Sequence, residues 1–454
     1  MTSLDTTALH VGIPAQRLAD NFLHFVLYLC ILSSFFVFVQ PAPYEYIAVV
    51  LGGAAILARV PFNRAILPLL ILLLARDIFG VISLLQVVDL GWMRTQNSPE
   101  VLLEDYGWDD SARFLATSFY LGLTGVLFAC IFSQDTMRRL ATLRSAYVMA
   151  AVIATALGLL GYFSLNFNFL PGLEVFSMND RPVAGFKDPD LFGCWLIPPL
   201  SWLIQRIVTG DKIRVRDILA SLIIFTGILM DFSRAAWGSL AFTLLFLIYF
   251  LFATQTDRRS RRRIFFFVVG GLVACILLFL VLSSIDIVRD MFVQRFHILQ
   301  YYDLNGDNRS RFLLQRDSFF EIFNHPFGMG PWGFAHYTGW VSHNVYLGVF
   351  LNHGWFGGIA FLTLVLLTLV IGFNAMFVRT PWQPFLIATY VPLVALLLEG
   401  LIADLDHWRH YYLLTGVVWA LSMASAKYRW YRDKAGADPA TAALAAQGLL
   451  RNGA

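Results

Sequence analysis

Apolar runs of about 20 residues, long enough to carry a helix across a bilayer core of roughly 30 Å, recur from one end of this chain to the other. Clusters of charges and turn formers separate them. We place twelve spans at 20–40, 43–58, 65–89, 113–133, 145–165, 191–208, 217–232, 235–254, 264–285, 355–377, 383–402 and 409–425. The expected fold is an all-α polytopic membrane protein with about 12 transmembrane helices and one large external loop. Its predicted parts are an N-terminal segment 1–19, helices 1–9 within 20–285, a loop 286–342, helices 10–12 within 343–425 and a tail 426–454. Composition supports this class, with 58% hydrophobic and 14% charged residues, 41 Phe and a mean hydropathy of +0.66.

The charges orient the pattern. Arg59 and Arg64 share one loop, Arg138, Arg139 and Arg144 the next alternate one, and Arg206, Lys212, Arg214 and Arg216 the one after. Arg258, Arg259, Arg261, Arg262 and Arg263 come next, then Arg379, then Lys427, Arg429, Arg432 and Lys434 in the tail. In a twelve-span count all lie on one side, which the positive-inside rule makes cytoplasmic, together with both termini. Anionic lipid accounts for the basic run at 258–263 without further function. The polar first twenty residues give no sign of a cleavable signal peptide. A net charge of +3 gives no reason to expect nucleic acid. Cys30, Cys130, Cys194 and Cys275 all fall in apolar runs, so neither disulfides nor a metal cluster is expected.

Loops on the external side are different in kind. The loop 90–112 is acidic, 166–190 is rich in turn residues, and Asp231-Phe232-Ser233-Arg234 forms a tight link between two spans. The loop 286–342 is long enough to fold partly on its own, with Asn305-Gly306-Asp307-Asn308 as a turn signal. Arg181, Lys187, Arg234, Arg309, Arg311 and Arg316 all stand on this side, against the usual bias. A guanidinium is a fixed charge with a planar fork of donors that matches phosphate oxygens. Several such groups beside a histidine suit a lipid-linked diphosphate, the arginines holding the leaving group while the imidazole activates a hydroxyl. The plainer reading is that they snorkel to lipid headgroups or pair with Asp180, Asp231 and Asp307.

The residues downstream favour the chemical reading. The chain runs through Asn324-His325-Pro326-Phe327-Gly328-Met329-Gly330 to Ser342-His343-Asn344 and then Gly354 and Gly357. His343, Asn344, Gly354 and Gly357 fit a motif of His, then Asn, Ser or Gln, nine residues, Gly, two residues and Gly. In this the chain resembles the O-antigen ligase and polymerase superfamily of bacterial membrane glycosyltransferases, whose fold is GT-C-like. Ser233-Arg234-Ala235-Ala236 fits the start of a second hallmark, with Gly238 where that family has Leu. The similarity covers roughly residues 180–425.

The resemblance implies a metal-independent, inverting enzyme of the inner membrane, without cofactor, acting at the periplasmic face. Its donor would be a glycan on undecaprenyl diphosphate, and its acceptor a hydroxyl of a glycan or of lipid A-core. By match to the motifs, Arg234 and Arg311 would hold the diphosphate and His343 would act as base, with Arg309 competing with Arg311 for its place. Arg181, Lys187, Arg309, Arg316 and Asn344 are the expected substrate contacts, and Gly354 and Gly357 would let the segment after His343 turn or pack closely.

Other polar groups receive plainer readings. His325 belongs to a turn, His336 to the loop or interface, and His353 to a packed or interfacial position. Asp404-Leu405-Asp406-His407-Trp408-Arg409-His410 reads as an interfacial cap, with contact to sugar as the lesser possibility. Lys187-Asp188-Pro189-Asp190 suits a helix N-terminus. Arg76 and Asp77 would pair inside a span. A transporter of lipid-linked sugar is the second functional class, disfavoured because the sequence carries no internal repeat and no nucleotide-binding loop.

Overall fold

The computed structural model of the 454-residue chain describes residues 14–39, 41–90, 108–168, 170–210, 212–255, 258–296 and 311–449. Helices dominate it, with one two-residue hairpin between β1 (Ser177–Met178) and β2 (Arg181–Pro182). All twelve expected apolar runs are helical. They form α1 (Pro14–Leu32), α2 (Pro43–Leu57), α3 (Leu67–Leu90), α4 (Trp108–Phe132), α5 (Thr136–Phe167) and α6 (Pro189–Thr209). After these come α7 (Val215–Met230), α8 (Arg234–Thr254) and α9 (Arg258–Ser283). The segment between α9 and the next long helix contributes α10 (Asp286–Phe296), α11 (Arg311–Asn324) and α12 (Gly333–Thr338). The chain closes with α13 (Val345–Met376), α14 (Gln383–Glu399), α15 (Arg409–Asp433) and α16 (Pro439–Ala446).

Eight of these helices are long and apolar enough to cross a membrane by themselves, while α2 and α14 are apolar but shorter. The protein is an all-α polytopic membrane protein. Helix α6 is buried along nearly its whole length between α7, α8 and α14. By contrast α9 buries only Ile264 and Leu282 and presents the rest of its apolar surface outward, as a helix facing lipid does.

Two sequence boundaries shift for physical reasons. The stretch 286–342 is less of a free loop than expected, because α10 packs Val288 and Phe292 onto Tyr162 and Phe232, and α11 packs Leu314 and Ile322 beside α13. The tenth span starts earlier than 355: α13 begins at Val345 and is broken at Gly354, whose φ of 68° and ψ of −176° are not helical. The tail is also packed, with Ala442, Ala443 and Ala446 buried in α16. Residues 91–107 of the acidic loop 90–112 and the Asn305–Asn308 turn lie outside the described residues, and Asp109 and Asp110 fall in the first turn of α4.

The break at Gly354 explains the glycine-rich sequence before it. Breaking a helix inside an apolar layer frees backbone groups that need new partners. The 326–330 turn supplies them: Trp355 N–H donates to Pro326 O at 2.9 Å, and Met329 N–H donates to Leu351 O at 2.7 Å. Ser83 of α3 receives the same turn, its Oγ accepting from Gly330 N–H at 2.8 Å. A Cβ on Gly354 would stand 2.7 Å from the Phe327 carbonyl carbon, so no larger residue fits without moving that turn. Gly357 faces α3, where a Cβ would lie 3.4 Å from Arg76 O.

Candidate functional site

Three helix N-termini border one cavity of about 860 Å³. From α6 comes Asp190, from α8 Ser233 and Arg234, and from the approach to α13 comes His343. Local sequence fixes each terminus. Asp188 caps α6 by accepting from Asp190 N–H at 2.8 Å, and Ser233 caps α8 by accepting from Ala236 N–H at 3.3 Å. Asn344 caps α13, its Oδ1 accepting from Tyr346 N–H at 3.0 Å and from Leu347 N–H at 3.1 Å. Converging N-termini carry partial positive charge and favour an anion.

Arg181, Arg234, Arg295 and Arg311 line the cavity and add full positive charge to it. Arg181 is buried and clamped: Nε donates to Asp231 O at 2.8 Å, and Nη2 meets Asp190 Oδ1 at 2.6 Å and Asp231 Oδ1 at 3.7 Å. Much of its charge is therefore engaged inside the protein, and it braces the wall as well as lining it. Arg311, in the first turn of α11, donates from Nη1 to Ile402 O at 3.3 Å, which ties α11 to the chain just beyond α14.

His343 stands in the same cavity with a backbone φ of 49°, a left-handed conformation uncommon outside glycine. Neighbouring bonds hold it there. Gln315 Nε2 donates to His343 O at 3.3 Å and to Leu401 O at 3.0 Å. Asn344 Nδ2 donates to Leu401 O at 3.0 Å, and Val345 N–H donates to Gly400 O at 2.9 Å. Burial, followed by the positive charge of Arg311, pushes the imidazole pKa down to about 4, with Asp190 opposing. The ring is neutral at pH 7 and can accept a proton.

The cavity floor is set by Glu399, the last residue of α14 and almost fully buried. Ser239 Oγ donates to its Oε2 at 3.0 Å, and Cys194 Sγ to its Oε1 at 2.8 Å. Sequence reasoning missed both Glu399 and Arg295. Each had a signal: Glu399 is a carboxylate at the end of an apolar run, and Arg295 is a further arginine in the segment expected to be external, where positive charge is disfavoured.

Other expected positions fall elsewhere. Lys187 is exposed, and so is Arg316, whose Nη2 pairs with Asp317 Oδ1 at 2.9 Å; neither lines the cavity. The carboxamide of Asn344 is used in capping α13 and in bonding Leu401, so it serves as a support for His343 and does not line the cavity. Arg309 lies outside the described residues. His325 Nε2 stands 3.4 Å from Glu321 Oε2, and His353 is buried in α13. Arg76 and Asp77 form the buried pair expected of them, at 2.7 Å.

No curated protein matches the chain. A family model described as O-antigen ligase matches residues 219–362, the stretch that holds Arg234, Arg295, Arg311, His343, Gly354 and Gly357. Over that stretch, about a third of its length, this membrane protein is similar to the O-antigen ligase family.

Proposed function

We propose that the protein is an inverting, metal-independent glycosyltransferase of the O-antigen ligase type. It moves a glycan from undecaprenyl diphosphate to an acceptor hydroxyl, on a glycan or on lipid A-core, at the periplasmic face of a bacterial inner membrane. The observation that carries this reading is the gathering of His343 with Arg181, Arg234, Arg295 and Arg311 around one cavity. In the proposed step His343 takes the acceptor hydroxyl proton, and the oxygen attacks the anomeric carbon from the face opposite the diphosphate. The bond from that carbon to the diphosphate oxygen breaks, and the electron pair leaves on undecaprenyl diphosphate. Arg234 and Arg311 balance the charge that develops there. Burial and the Arg311 charge hold the imidazole's proton affinity low. A bound diphosphate offsets that charge and raises the affinity, so donor binding itself makes His343 the stronger base.

The test is complementation of a deletion strain with His343→Ala, scoring surface polysaccharide on gels. Loss of glycan attached to the acceptor, with lipid-linked polymer retained, is the expected result. Wild-type attachment in that variant would remove His343 from the chemistry, and loss of polymer length would reassign the protein to the polymerases.

A further inference from the structure

A second cavity, of about 300 Å³, adjoins the first along one short stretch of chain. Val341 and Ser342 line it, while the next residue, His343, lines the arginine cavity. Its character is different: no arginine or lysine among the described residues lines it, and its walls are aromatic, with Phe114, Trp332 and Trp408 among them. Phe114 and Trp332 meet edge to face with ring centroids 5.5 Å apart, and Phe114 packs on His407 at 4.1 Å.

Polar groups in this cavity are held in place from behind. Ser118 Oγ lies 2.9 Å from His407 Nε2 and 3.4 Å from Asp406 Oδ2. The Asp406 carbonyl accepts from the Tyr412 hydroxyl at 2.8 Å, and Arg76 Nη1 donates to that hydroxyl at 2.8 Å. The buried Arg76–Asp77 pair thus anchors the wall. Asp406 is 6% exposed, yet its Oδ1 has no hydrogen-bond partner among the described residues. A buried acceptor left open in an otherwise bonded network calls for a donor from outside the chain.

We propose that this cavity binds a sugar ring of the acceptor, a reading that rests on the glycosyl transfer proposed above. Apolar C–H faces of a pyranose pack on aromatic rings, and its hydroxyls donate to carboxylates. The volume is at the small end of small-molecule sites and suits a single ring. Asp406 Oδ1 accepts a hydrogen bond from a ring hydroxyl, and Asn352, one turn beyond Gly348 on the same face of α13, offers a second polar contact. A ring held here lies against Ser342, one residue from the proposed base.

Gly348 gives the means to test it. A Cβ there would stand 3.2 Å from Ser342 Oγ and 3.4 Å from Asp404 Oδ1, so the bulk of a leucine enters the cavity. Full-length protein in nanodiscs would be titrated by saturation-transfer NMR with three probes. These are the acceptor oligosaccharide released by mild acid from the encoding bacterium, the donor repeat unit without its carrier, and undecaprenyl diphosphate. Gly348→Leu and the near-isosteric Asn352→Leu should each weaken acceptor binding at least tenfold and leave undecaprenyl diphosphate within twofold of wild type. Unchanged diphosphate binding also shows that each variant is folded. Acceptor binding within twofold of wild type in both variants would overturn the proposal. So would wild-type binding of the repeat unit in place of the acceptor. Failure of wild-type protein to bind undecaprenyl diphosphate would instead remove the transfer reading, and is told apart because that probe is read separately.

Discussion

Replacing Gly354 by alanine isolates the device that holds His343 in place. Alanine at a φ of 68° and a ψ of −176°, a region that essentially only glycine occupies, costs roughly 1–3 kcal/mol. Its Cβ would also lie 2.7 Å from the Phe327 carbonyl carbon and 2.8 Å from Pro326 O. Those are backbone atoms, so relief requires the 326–330 turn to move. Movement weakens the bonds from Trp355 N–H to Pro326 O and from Met329 N–H to Leu351 O, each worth about 0.5–1.5 kcal/mol. The expected loss is roughly 2–6 kcal/mol, a fall of about 4–12 °C in melting temperature at about 2 °C per kcal/mol. The assay is thermal unfolding of detergent-solubilised protein followed by size exclusion. Gly270→Ala in α9 is the control, because a Cβ there meets nothing within 4 Å, and it should leave the midpoint unchanged or slightly raised. Transfer activity should fall with Gly354→Ala, since His343 stands at the far end of the short half-helix. A Gly354→Ala protein melting within about 1 °C of wild type would show that the turn does not brace the break, and the argument would fail.

Two further outcomes arise from the arginine cavity. Because the His343 pKa is pushed down to about 4, kcat/KM should hold as pH falls through 6.5 and decline only near that lower value; Arg311→Gln should move the decline toward neutral pH. The unfolded chain takes up this proton first, so acidification below about 6.5 disfavours the folded state. A decline already at pH 6.5 that ignores Arg311→Gln would refute the linkage. Arg295→Ala should slow single-turnover transfer by about 10²-fold, with partial recovery in Arg295→Lys, which keeps charge but not the planar fork. Wild-type rates in Arg295→Ala would place that residue outside the diphosphate site.

The helices were legible because membrane spans are written in runs of apolar residues, and every expected run is helical. His343, Arg234 and Arg311 were legible because their motifs are local, with neighbours at fixed spacing. Glu399 was not, because its partners Cys194 and Ser239 come from α6 and α8, about 200 and 160 positions away. The same holds for the second cavity, where Asp406 depends on Ser118 and on Arg76 through Tyr412. Lys187 and Arg316 do not line the arginine cavity, and their charge in the sequence does not say which way a side chain points.

The break in α13 also has a consequence for how the protein is made. The 326–330 turn precedes Gly354 in the chain, so the partners of the broken turn are synthesised first. A lone segment in lipid, with no such partners in contact, satisfies its backbone best as one unbroken helix. Val345–Met376 is therefore expected to enter the bilayer straight and to bend only when the turn docks between it and Ser83 of α3. On this order of events the segment bearing His343 takes its final shape late in biogenesis, when residues far apart in the chain have already met.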